Sequence, residues 1–172
     1  MLTVSDILGL EELDLTLVGG SERVSAPVRW VHSSELADPT PWLRGSELLL
    51  TIGRPLEDAP ERFVELLAES GLAGLGLGLG FGFEECPAEA RTAADRLGFP
   101  VFTIPYEIPF IAITEAVFTG LSNQRVAETE RSKLLGNKRW SRQTDSRLLR
   151  VLPVGSAICA RRTRATRGQS GQ

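Results

Sequence analysis

The sequence predicts an α/β fold: a mostly parallel sheet with flanking helices, forming a single domain that leads into a long C-terminal helix and a basic tail. Three observations carry this reading. Short apolar runs of strand length alternate with segments of helical periodicity. The helical segments are punctuated by Pro60 and Gly71, and again by Pro87 and Gly98, the residues that start and stop helices. Helix-length connections between apolar runs are what parallel strands require.

Taken in order, Thr3 to Asp6 reads as a capping box, with the Asp6 carboxylate meeting free N–H groups of a short helix from Val4 to Leu8. Leu15 to Val18 is an expected strand, closed by the turn Gly19-Gly20. A second strand is expected over Val28 to His32, mixing aromatic and β-branched residues with polar ones. A third, Glu47 to Thr51, is apolar through its middle, as a strand covered on both faces would be. Asp58 is the expected cap of a helix with Pro60 in its first turn, and Phe63, Leu66, Leu67 and Ser70 fall on one face. Leu72 to Leu79 reads as a buried strand. The next helix starts at Cys86-Pro87 and carries a stripe of small residues, Ala90, Ala93 and Ala94, with Leu97. A fifth strand spans Val101 to Ile104. A long exit helix then runs from about Phe110 to Leu135, with Phe110, Ile113, Val117 and Leu121 in its stripe and Ala116 and Phe118 beside it.

Charge divides the chain. Residues 1–130 hold 8 Arg and no Lys against 21 Asp+Glu, and residues 131–172 hold 11 basic residues against one acid, Asp145. The acidic body does not suit a nucleic-acid surface, which needs clustered Lys and Arg. The tail, residues 136–172, reads as disordered and basic. Its Arg, Ala, Gly, Ser and Thr content looks like a gene read out of frame, and not like the natural continuation of the body. Cys86 and Cys159 form neither a metal spacing nor a disulfide framework. With one histidine and no Cys-x-x-Cys, no metal and no cofactor is expected. The acidic N-terminus is unlike a signal peptide, and Gly71 to Phe83 is too short to span a bilayer. A cytoplasmic location and no membrane partner are therefore expected.

The stretch from Val28 to Gly53 concentrates the unusual residues: the only histidine, His32; two of three tryptophans, Trp30 and Trp42; and the acids Glu35 and Asp38. Trp30 and His32 share a strand face, and Trp42 sits in a proline-bounded loop, where a tryptophan most commonly plugs a core. The glycine run Gly74 to Gly82 lacks both the dinucleotide spacing and the lysine of a phosphate loop. Period-two glycine bares one strand face, either to a helix or to a ligand. A small polar metabolite is therefore expected to contact His32, Glu35, Asp38, Trp42, Thr51, Gly53, Gly78 and Gly80, where strand ends converge. No nucleophile elbow is present, so no catalytic residue is assigned. A small enzyme, or a metabolite-binding protein, acting at the Trp30–Trp42 loop is the alternative.

Several motifs together resemble one family. They are Val28-Arg29-Trp30-Val31-His32-Ser33-Ser34-Glu35-Leu36, Asp38 to Leu43, Gly45 to Thr51, Gly71 to Gly76, Ala94 to Pro100 and Pro105 to Val117. Over residues 2 to about 130 the chain is similar to the N-terminal domain of the purine catabolism regulator (PucR-like) family of bacterial transcription factors. The resemblance implies an effector-sensing domain, an unknown small-molecule effector, a homodimer in the full regulator, and DNA contact only through a helix-turn-helix. No such pattern occurs in residues 131–172, which suggests a regulator truncated before it.

Overall fold

The computed structural model describes the backbone of residues 1–148 and the side chains of residues 1–131. Residues 1–130 form one compact unit. This unit holds five strands: β1 (Thr16–Gly19), β2 (Trp30–Ser33), β3 (Glu47–Thr51), β4 (Gly74–Gly78) and β5 (Val101–Ile104). Four α-helices occur among the described residues: α1 (Val4–Leu8), α2 (Pro60–Glu69), α3 (Ala88–Leu97) and α4 (Phe110–Leu148), the last of which starts in this unit. The sheet order is β1-β5-β4-β3-β2; β2 to β5 are mutually parallel, and β1 lies antiparallel on the edge beside β5.

The α/β expectation holds, and the physical reason is the alternation within each strand. Leu49, Leu75, Leu77 and Val101 point to one face, where Phe63, Val64 and Leu67 of α2 and Ala90, Ala93 and Ala94 of α3 cover them. Leu48, Leu50, Phe102 and Ile104 point to the other, against Val4 and Ile7 of α1 and Ile113 and Val117 of α4. Full burial of each large side chain contributes about 1.5–3 kcal/mol. Two successive crossovers of one hand, β3-α2-β4 and β4-α3-β5, move the same way across the sheet and so leave both helices on one face. The chain leaving β5 then goes to the opposite face, in α4.

The period-two glycines of β4 serve the second core. A Cβ on Gly76 would lie 2.8 Å from the Phe102 ring and 2.8 Å from Leu50, so the bare face is filled by neighbouring side chains. Gly78 meets the Phe110 ring of α4 in the same way. Gly20 (φ 73°) fixes the outer edge, its N–H donating to Asp95 at 2.8 Å; any Cβ there would collide with the Phe99 carbonyl.

Several boundaries differ from expectation. β2 begins at Trp30; ahead of it the Val28 N–H donates to the Leu2 carbonyl and the Arg29 N–H to the Ser46 carbonyl. β4 is confined to Gly74–Gly78. Asp58 does not cap α2: Ala59 occupies the cap position without a side-chain hydrogen bond. Phe118 is 59% exposed instead of lying beside the buried stripe of α4. α4 itself continues past Leu135 to Leu148, since one glycine inside a helix costs only about 1 kcal/mol. The expected disordered tail lies outside the described residues from 149 onward. Among the described residues, no helix is long and apolar enough to cross a membrane.

Candidate functional site: a tryptophan-walled cavity at the sheet edge

β2 is the outer parallel strand, and its Trp30 is 53% exposed. In register, Trp30 lies opposite Glu47 and His32 opposite Leu49, so Trp30, His32 and Glu47 share the face that carries α2 and α3 further along the sheet. The loop between β2 and β3 folds back there through a helical turn, Thr40–Trp42. Its start is set by Asp38, whose carboxylate accepts the Thr40 hydroxyl at 2.6 Å and the Thr40 N–H at 2.9 Å. Those two bonds, the hydroxyl first, hold the Asp38 carboxyl below its ordinary pKa.

The result is a cavity of about 370 Å³ lined by Arg29, Trp30, His32, Trp42 to Gly45, and Glu47. Trp30 is 53% exposed and Trp42 66%, so Trp42 stands in the cavity wall and does not take the core-plug role common for a tryptophan. At the floor, Glu47 Oε1 accepts the Arg44 N–H at 3.0 Å. Its Oε2 is closed off from water and has no hydrogen-bond partner among the described residues.

The expected site residues separate into four groups. His32 and Trp42 meet in this cavity. Glu35, Thr51 and Gly53 meet each other: the Glu35 carboxylate accepts the Thr51 hydroxyl (2.8 Å) and the Ile52 N–H (2.7 Å), and the Thr51 hydroxyl accepts the Gly53 N–H (3.0 Å). These polar groups satisfy one another, which is the pattern of a structural clasp. Asp38 turns back on its own loop. Gly78 packs on Phe110 and Gly80 on Tyr106, where the chains leaving β4 and β5 diverge to opposite faces. A ligand crevice could open at such a divergence, but the Phe81 and Tyr106 rings, 5.1 Å apart, stand at it.

Sequence reasoning missed Arg29, Arg44 and Glu47. Their only signal was the pairing of Trp30 with Glu47, which exists once the strands align. A larger concavity of about 860 Å³ lies at the start of α2 and is ringed by Glu57, Asp58, Glu61, Glu65 and Glu89. Glu65 there is engaged by Arg96 at 2.8 Å and Arg62 at 3.3 Å, which lower its pKa. No group of three or more His, Cys, Asp or Glu side chains among the described residues could hold a metal ion.

Residues 6–121 match the Purine catabolism regulatory protein-like family. The chain belongs to that family. It is also 31% identical over 156 residues to the transcriptional activator PmfR of Paenarthrobacter nicotinovorans. That match takes in 88% of this chain, more than residues 1–130 can supply, so it runs on into the basic segment. The chain spans about a third of the length of this relative (33%). Within the PucR-like family, the stretch carrying Trp30, His32 and Trp42 falls inside the matched residues.

Proposed function

We propose that this chain is the effector-sensing part of a bacterial transcriptional regulator of catabolism, and that it is not an enzyme. The observation that carries the reading is the cavity in which Trp30, His32 and Trp42 meet. Two large indoles held more than half exposed serve no core, and concave sites walled by aromatics with a few polar groups are where small molecules bind. The family and the activator relative support regulation over catalysis. Glu35 and Thr51 act as the frame that holds the loop and touch no effector.

In the full regulator the domain acts as a homodimer, with DNA contact through a helix-turn-helix elsewhere. Ile111 and Phe118 support this partner: both are large, apolar, about 60% exposed, and one heptad apart on α4.

A thermal-shift screen of the full chain against purines, ureides, amino acids and amines tests the sensor. A compound that raises the melting temperature of the parent chain and leaves Trp42→Ala unshifted supports it. Turnover of any compound would favour an enzyme at the same loop, and binding indifferent to Trp30 and Trp42 would move the site elsewhere.

A further inference from the structure

We infer that the Trp30–Trp42 cavity takes a planar organic anion carrying an N–H or O–H donor, an inference that rests on the effector-sensing reading above. Charge is the first argument. Residues 1–130 hold eight arginines against 21 acids, yet two of those arginines, Arg29 and Arg44, line this one cavity. Both are exposed, and the ion pairs among the described residues use only Arg62 and Arg96. Two arginines outside the ion pairs of the described residues, against the one carboxylate of Glu47 in the lining, make a locally positive spot on an acidic body. Guanidinium forks suit carboxylate and enolate oxygens.

Shape is the second. Trp30 and Trp42 line the cavity and are more than half exposed, which leaves indole surface for a ring, and a cavity of about 370 Å³ admits a molecule of one or two rings. Glu47 is the third. Its Oε2 is a buried acceptor without a partner among the described residues, and a small rotation of the carboxylate would bring it to a donor supplied by the ligand. Indole faces beside a carboxylate also suit an ammonium ion. Here two arginines share the same walls, and their repulsion disfavours a cation.

Calorimetric titration of the full chain with four matched probes tests this. They are indole-3-carboxylate, its N-methyl derivative, indole-3-carboxamide and tryptamine. Indole-3-carboxylate should bind most tightly, and should weaken as salt is raised. Arg29→Gln and Arg44→Gln should each weaken it about fivefold, as for an exposed ion pair, and should leave the neutral carboxamide unchanged. N-methylation should weaken binding by removing the donor that Glu47 takes. Tryptamine binding tighter than the carboxylate, or carboxylate binding indifferent to both arginine changes, overturns the anion assignment and leaves the sensor cavity standing. Silence from all four probes, with a Trp42-dependent hit in the metabolite screen, also overturns the assignment alone. Silence in both experiments overturns the sensor reading itself.

Discussion

The Glu35 carboxylate and the Thr51 hydroxyl lie 2.8 Å apart, joining the loop after β2 to the end of β3 across 16 residues of sequence. Glu35 also accepts the Ile52 N–H at 2.7 Å and the Arg54 N–H at 3.3 Å, so one side chain closes the whole turn out of β3. Thr51 is fully buried. Glu35→Ala should therefore lower unfolding stability by about 1–3 kcal/mol, because buried donors lose their acceptor. Glu35→Gln, which keeps one acceptor oxygen, should cost less. Urea denaturation followed by circular dichroism would decide, and equal stability of all three chains would refute the clasp.

Gly76 is the point where β4, Leu50 and the Phe102 ring converge. Gly76→Ala should destabilise by about 1–3 kcal/mol through overpacking. Gly82, with nothing within 4 Å of a Cβ, is the matched control: Gly82→Ala should stay within about 0.5 kcal/mol of the parent. A neutral Gly76→Ala in thermal unfolding would show that the β4 face is not packed as described.

Trp42 and folding should be separable. Because Trp42 is 66% exposed, Trp42→Ala should change stability by no more than about 0.5 kcal/mol while abolishing binding at the cavity. Chemical denaturation measured beside a ligand titration checks both halves. A Trp42→Ala chain that unfolds far more easily would return the residue to a structural role.

The capping box of α1 links stability to acid. Thr3 Oγ1 donates to Asp6 at 2.7 Å, the Thr3 N–H does so at 2.8 Å, and these bonds lower the Asp6 pKa. A carboxyl whose pKa is depressed by folding contributes stability that is present above its unfolded pKa. That stability is lost as pH falls through the folded value. Thr3→Ala should cost about 1 kcal/mol at neutral pH, the usual worth of a cap. The difference from the parent should shrink once Asp6 is protonated in both. Melting curves taken from neutral pH down through the carboxylate range would show it; a gap that widened in acid would contradict the linkage.

Self-association should reside on α4. Ile111→Glu and Phe118→Glu together should reduce any dimer of the full chain with little loss of stability, since both residues are exposed. Sedimentation at micromolar to high micromolar concentration measures it. A parent chain that stays monomeric throughout would remove the proposed seam.

Local chemistry determined much of the protein in the sequence itself. The segments Val4–Leu8, Glu47–Thr51 and Val101–Ile104 carry their own caps, apolar continuity and β-branched content, and they form at the expected residues. The small-residue stripe of α3 likewise predicts close packing on a sheet, and Ala90, Ala93 and Ala94 are fully buried. The tertiary structure decided what depends on partners distant in the chain. Asp58 has the right residue type for a cap, but the backbone places Ala59 there. Glu35 has the composition of a site residue, yet Thr51 and Ile52 consume its oxygens. Trp42 has the hydrophobicity of a core residue, but it stands 66% exposed in the loop that follows the edge strand β2. Arg29, Arg44 and Glu47 gain a common cavity only when β2 and β3 align in register. Strand propensity acts through neighbours in sequence, whereas strand order and loop placement follow from which faces are left to bury. That is why the elements and the Trp30–Trp42 loop were legible one by one, and the joining of Arg29, Arg44 and Glu47 to that loop was not.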